Sequence, residues 1–276
     1  MKKYLALALA IVLSLSLLAG CGAKKDESTA TDVAPSASAP SAEANPYDAA
    51  VGKTYTIGTD TTFAPFEFED ESGTHTGIDI QLMDAIAEEM GFKVEWQVLG
   101  FNAAVTALEA GQVDGVIAGM SITAERQKKY DFSDSYYDST TGVAVSADSK
   151  IADLDGLKGE TVVAKTGTTG AQYAESIAAD YALNILYVED SATMYTYVQS
   201  GQASACFEDY PIIQYEITRG NVDCKVIAQS EESSPYGFAT MKGEKPELVA
   251  AFNEGLKRMK DSGKYDEILN TYFGGK

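Results

Sequence analysis

The chain has 276 residues, 45% of them hydrophobic, enough for one large domain or two small ones. Its formal net charge is −20, and loss of residues 1–20, which carry Lys2 and Lys3 and no acid, makes it two units more negative. That balance excludes nucleic acid as a partner and direct electrostatic adhesion to anionic lipid.

The chain opens with Lys2 and Lys3, the apolar run Tyr4–Leu18, and then Leu18-Ala19-Gly20-Cys21. A positive start, an apolar stretch and a small-residue site read as a secretion signal over 1–20. The run is too short to span a bilayer comfortably. The four residues before and at Cys21 resemble a bacterial lipobox, which implies lipidation of Cys21 and a membrane anchor. From Cys21 to residue 50 the chain is rich in Ala, Ser, Pro and Thr and poor in large apolar residues. Such a segment cannot bury enough surface to order itself and is expected to act as a flexible tether. The folded part is thus expected outside the cell membrane, held at its outer face.

Beyond Cys21 there are Cys206 and Cys224, in the strand-like "ASACF" and "DCKVIA". An exported domain permits a disulfide, and spacing alone leaves open a bridge or two buried thiols. His75 is the only histidine, in the turn-like "DESGTHTG". It is expected at an exposed loop tip, without a catalytic or zinc-binding role.

From Lys53 the pattern alternates. "YTIGTD" reads as a strand, and "GIDIQLMDAIAEEMG" as a helix with Ile80, Met83, Ile86, Ala87 and Met90 on one face and Gly91 as its cap. "KVEWQVL" is a strand, "NAAVTALEAGQ" a short helix, "VDGVIAG" a buried strand and 141–147 extended. The scheme then restarts at "LKGETVVAKTG" and runs through three further strand and helix units to "CKVIAQ". "YGFATMKG" follows, then one long amphipathic helix from Pro246 to Gly274. Repeated βα units imply two α/β lobes. The halves also echo each other: "ALEAGQVDGVIAGMSIT" resembles "YVQSGQASACFEDYPII", each a helix, a Gly-Gln turn, a buried strand and a polar cluster at the strand's carboxyl end. Ligands of open α/β sheets sit at such ends.

The segments "GTDTTFAPFEFED", "GIDIQLMDAIAEEMG", "ALEAGQVDGVIAGMSITAERQKKYDFSDSYYDS", "VVAKTGTTGAQY" and "FEDYPII" resemble the polar amino-acid-binding proteins of ABC importers, closest to the glutamine-binding group. The resemblance covers about residues 52–274. It implies a two-lobed periplasmic-binding-protein-like fold of type II, with a ligand cleft between lobes and a two-strand hinge near 142–147 and 235–241. Lobe 1 would hold 51–143 and 236–276, and lobe 2 would hold 147–233. The implied partners are a free polar L-amino acid and the membrane subunits of an importer; no cofactor, metal or catalysis is expected, and nothing suggests other than a monomer.

The chemistry of the residues agrees with that reading. A buried amino acid needs opposite charge for both ionic groups, since unpaired buried charge is very costly. Arg126 offers a planar fork that suits a carboxylate, whereas Lys128 and Lys129 read as solvated. Thr168 and Thr169 in "KTGTTG" would add backbone N–H groups at a helix start. By resemblance Asp209 takes the ammonium, helped by Ser121 and the Gly119 carbonyl; as a residue before Tyr-Pro it also suits a helix cap. The ligand side chain would lie between Phe63 and Phe101, with Asp60 and Lys165 at its far end. An acceptor and a donor there suit a carboxamide and favour glutamine.

Glu208 departs from the glutamine-binding pattern, where a histidine often stands. It tilts the site toward arginine, lysine or histidine if it faces the ligand, and not if it points outward or pairs with Lys165. "GTTG" lacks the spacing of a phosphate-binding loop. An exported dehydratase on the same fold would need a general acid or base among Asp60, Lys165 and Glu208. The Arg126 and Asp209 pair instead describes an amino acid that is gripped rather than transformed.

Overall fold

A computed structural model describes residues 45–274. The signal segment, Cys21 and the tether up to residue 44 lie outside the described residues. The last part of the expected tether belongs to the fold: Pro46–Ala50 form a short 3-10 turn, Ala50 is fully buried, and Tyr47 packs against the first core beneath Arg258.

The first lobe starts with β1 (Thr54–Thr59), then a small antiparallel sheet of β2 (Thr62–Phe63), β3 (Glu67–Glu69) and β4 (His75–Thr76). Helix α1 (Ile78–Met90) follows, capped by Gly91 in the left-handed region at φ 74°. Then come β5 (Lys93–Val98), α2 (Phe101–Glu109), β6 (Gly115–Val116) and β7 (Tyr130–Phe132). His75 is therefore not at a loop tip. It pairs with Glu69 across β3 and β4 and is half-buried.

The second lobe holds β8 (Thr140–Ser146), β9 (Thr161–Lys165), α3 (Thr169–Tyr181), β10 (Asn184–Val188), α4 (Ser191–Gln199), β11 (Ala205–Asp209), α5 (Tyr210–Arg219) and β12 (Cys224–Ser233). The chain then returns to the first sheet through β13 (Ala239–Met241) and ends in α6 (Pro246–Ser262) and α7 (Lys264–Phe273). The expected single C-terminal helix is two. Gly263, at φ 80°, closes α6 and lets the chain turn. The turn lays Phe273 against Tyr137 at 5.8 Å between ring centres.

The sheets are built alike, in the orders β5-β1-β6-β13-β7 and β10-β9-β11-β8-β12. In each, three parallel strands meet antiparallel strands on one side. Helices cover both faces, so the central strands read as continuous apolar runs. Val143 and Val145 point into one core and Ala144 into the opposite one, as strand alternation requires.

The chain crosses between sheets at 133–139 and 234–238. The first crossing lies earlier than the expected 142–147, because β8 pairs with β11 and β12 and so belongs to the second sheet. The two crossings touch each other: Tyr136 N–H donates to the Tyr236 carbonyl at 3.0 Å and Tyr236 N–H to the Tyr137 carbonyl at 2.8 Å.

Cys206 and Cys224 are both buried and free. They flank β8 from opposite sides, opposite Ala144 and Ser146. Two strand spacings, about 10 Å, separate such positions, whereas a disulfide needs Cα atoms within about 7 Å. A thiol reductant should therefore leave the thermal midpoint of the protein unchanged; a drop of several degrees in a melting scan would show that the two cysteines are joined.

Candidate ligand-binding site

The residues singled out in the sequence for the ligand come from separate elements, and all but Asp60 line one narrow, nearly filled cavity of about 10 Å³ between the lobes. Its wall includes Phe63, Gly119, Ser121 and Arg126 from the first lobe, and Lys165, Thr169, Glu208 and Asp209 from the second. Lys165 is the last residue of β9, Asp209 the last of β11, and Asp60 follows β1. All sit at carboxyl ends of strands, where the two sheets face each other.

Arg126 lies in a short 3-10 turn and is 9% exposed. Its Nη1 donates to the Ser121 carbonyl at 2.8 Å and its Nη2 to the Gly167 carbonyl of the other lobe at 2.9 Å. The guanidinium also stacks against Phe101, 5.3 Å from the ring centre. A guanidinium has five donors, so two backbone bonds orient it and leave others for an anion. Burial lowers its pKa from an arginine's ordinary value, opposed by the Asp209 charge. Lys128 and Lys129 are exposed, and Lys129 pairs with Glu109 on the surface.

Thr168 plays a different part from the one expected. Its hydroxyl accepts from the Ala171 N–H at 3.1 Å and donates to the Lys165 carbonyl at 2.7 Å, which caps α3. Its own N–H is turned to the same carbonyl at 3.3 Å. The N–H groups facing an anion would thus begin with Thr169, at the positive end of the helix. The Thr169 hydroxyl meets Ser121 Oγ across the cleft at 3.3 Å.

Asp209 stands at the start of α5 but makes no capping bond with its side chain. It accepts instead from Tyr236 in the second crossing at 2.5 Å and from Thr169 at 3.4 Å. Burial, then the neighbouring Glu208 charge, pushes its pKa up to about 7. A cationic partner in the cavity would reverse that shift.

Lys165 is 2% exposed and Asp60 1%, and they form an ion pair between the lobes at 2.9 Å. Lys165 Nζ also donates to Ser191 Oγ at 3.1 Å and sits 4.4 Å from the Phe63 ring centre. Burial disfavours its charge, but Asp60 and then Glu208 outweigh that and hold its pKa above the usual lysine value. Glu208 does not point outward. It is 2% exposed, accepts from Ser191 Oγ at 2.6 Å and from the Asp209 N–H at 3.0 Å, and reaches Lys165 through Ser191.

Ser191 and Tyr236 were missed in the sequence. Ser191 looks there like the first residue of a helix after the Asp190 cap, and Tyr236 like one more strand aromatic; neither has a spacing that points to a site. Gly119 has φ +52°, and a side chain there would collide with Phe63 at 2.3 Å. Glycine is therefore required to seat that ring against the cavity floor.

Residues 55–275 match the bacterial extracellular solute-binding proteins, family 3. The chain belongs to this family. It is 31% identical to a probable histidine-binding protein of Neisseria gonorrhoeae over 99% of this chain and 96% of the relative. It is also 31% identical to the glutamine-binding protein GlnH of an ABC transporter in Bacillus subtilis, over 99% and 97%. Among solved structures, an ancestral arginine-binding protein bound to glutamine superposes with a TM-score of 0.74 at 35% identity, covering 80% of this chain and 98% of that one. For this solute-binding protein the two-lobed, periplasmic-binding-protein-like fold is thereby shown.

The raised pKa of Asp209 has a consequence for stability. An acid whose folded pKa lies above its unfolded value adds stability at low pH and loses it as pH rises between the two. Between about pH 4 and 7 the protein should lose stability relative to Asp209→Asn, at up to ~1.4 kcal/mol per pH unit. Melting midpoints taken across that range check this, and parallel profiles would mean that Asp209 is not buried as described.

Proposed function

We propose that this protein is a lipid-anchored extracytoplasmic receptor that captures a polar L-amino acid by cleft closure and delivers it to a separate ABC importer. Arg126 and Asp209, groups of opposite charge type buried on facing sides of one cavity, carry the reading. They match the carboxylate and ammonium of a zwitterion, and each is oriented by bonds of its own. The ligand would first meet Arg126, Asp60, Phe63 and Phe101, and closure would add Lys165, Thr169 and Asp209. Extra contacts in the closed state shift the population toward it. Cys21 would carry the lipid, and the protein would act as a monomer at the outer face of the membrane.

Glutamine is favoured as the ligand. At the far end of the cavity a fixed ammonium stands in the wall, bonded to Asp60 and Ser191. A carboxamide can accept from Lys165 and donate to Glu208, while a cationic side chain would meet Lys165 head on. The second reading is a basic amino acid. It is supported by Glu208, which lies inside, so that this end holds two acids against one lysine. Relatives named for histidine and for glutamine are compatible with either ligand. A dehydratase is disfavoured, since Asp60, Glu208 and Asp209 each engage a fixed partner rather than standing free for proton transfer.

Calorimetric titration of protein that has been unfolded and refolded to strip carried-over ligand tests this. Tight glutamine binding with weak arginine binding supports the amide reading, and the reverse makes Glu208 the determinant. Arg126→Ala should weaken binding of the preferred amino acid by at least about a hundredfold, because it leaves a buried carboxylate unpaired. A loss below roughly tenfold, well under the cost expected for such an unpaired charge, would remove Arg126 from the site.

A further inference from the structure

Beneath the cavity lies a second pair of acids that the site does not use. Glu67 on β3 and Asp79 in the first turn of α1 are both fully buried and are brought together by the chain. Backbone geometry forces them together. The α1 N–H groups of Ile78 and Asp79 donate to the Pro65 and Phe66 carbonyls, each at 2.9 Å. Gly77, at φ +133°, allows that approach, since a side chain there would strike the Phe66 carbonyl at 2.1 Å.

Asp79 Oδ2 has two donors, the Gly119 N–H and the Tyr136 hydroxyl, both at 2.8 Å. Asp79 Oδ1 and both carboxyl oxygens of Glu67 have none among the described residues. Three such oxygens side by side, with no donor, would be very costly if both groups were ionised. The charged and titratable groups around the pair are Asp60, Lys165, Tyr136 and, from α7, Tyr265. Lys165 is the one cation among these neighbours, and its bonds go to Asp60 and Ser191.

We propose that Glu67 and Asp79 share one proton at neutral pH, with Glu67 donating to Asp79 Oδ1, and that the pair is the positioning device of the ligand site. Asp79 then remains a full acceptor on its other oxygen. Its bond to the Gly119 N–H fixes the Ala118–Gly119 peptide, and trans geometry sends the Ala118 carbonyl the opposite way. Ala118 and Gly119 both line the cavity. Its bond to Tyr136 ties the same carboxylate to the first crossing between lobes. Ligand floor and hinge thus share one anchor, held by the proton. Burial, followed by the charges of Asp79 and Asp60, drives Glu67 well above the usual carboxylate range, in keeping with the missing donors.

The positioning role rests on the receptor reading, but the shared proton does not, and the test separates them. Infrared spectra of the whole protein at pH 7 should show the carbonyl stretch of a protonated carboxylic acid that disappears in Glu67→Gln and persists in Asp209→Asn. Melting midpoints give a second readout. Glu67 titrates higher folded than unfolded, so the wild type should lose stability relative to Glu67→Gln as pH rises above about 4.3. L-glutamine and L-arginine are then titrated. Glu67→Gln keeps a donor to Asp79 and should bind the preferred one within about threefold of wild type, whereas Glu67→Leu should lose roughly tenfold. No acid band lost in Glu67→Gln, or parallel pH profiles, would overturn the shared proton. Equal affinities in the Gln and Leu variants would overturn the positioning role. If neither amino acid binds wild type while the band behaves as expected, the receptor reading fails and the shared proton stands.

Discussion

The cost of placing charge in a dry cleft governs the centre of this molecule. The two lobes bring Asp60, Arg126, Lys165, Glu208 and Asp209 into one small space, each nine-tenths or more buried. An isolated ion there would be worth several kcal/mol of destabilisation, so each has to find a counter-charge or a fixed dipole. Lys165 and Asp60 answer each other across the cleft, and Arg126 grips a carbonyl from either side of it. The Lys165–Asp60 pair and the Arg126 bond to Gly167 exist only when the lobes meet, so the electrostatics of the site and the geometry of closure are one problem.

The fold solves that problem by repetition. Each lobe presents three parallel strands whose carboxyl ends open on the same gap, and each sheet continues into antiparallel strands that lead to the crossings. Polar residues at strand ends are ordinary within a single lobe. Facing each other they become a lined cavity. The crossings are themselves part of the wall, because Tyr236 reaches from one of them to Asp209 and Tyr136 from the other to Asp79. Aromatic rings of Phe63, Phe66, Tyr137 and Phe273 pack around that junction and couple the C-terminal helix to it.

Much of this was legible along the chain. Apolar spacing marked α1 and its Gly91 cap, strand and helix alternation marked two α/β lobes, and the repeated Gly-Gln turn marked the equivalent strands of the two halves. Arg126 stood out because a lone arginine after a buried strand and a Gly-Met-Ser turn has few structural uses. Thr168 was harder: its N–H was expected to face an anion, but as the cap of α3 the residue turns both its N–H and its hydroxyl to the Lys165 carbonyl. The break at Gly263 was read as part of one helix, since a glycine inside an amphipathic pattern gives the same periodicity whether or not the chain turns. The first crossing was placed too late because β8 is buried at every interior residue, and composition does not say which sheet such a strand joins.

By itself the sequence determined the fold class, the two-lobed organisation and the chemical types available for a site, because these depend on periodicity, composition and residue identity, which are local properties. Tertiary structure alone decided which charges meet. That Lys165 reaches Asp60, 105 positions away, that Glu208 turns inward to Ser191, and that Cys206 and Cys224 lie on either side of β8 follow from strand order and lobe contact. Charge–charge and hydrogen-bond energies fall off within a few ångströms, and distance in space across two sheets is not encoded in distance along the chain.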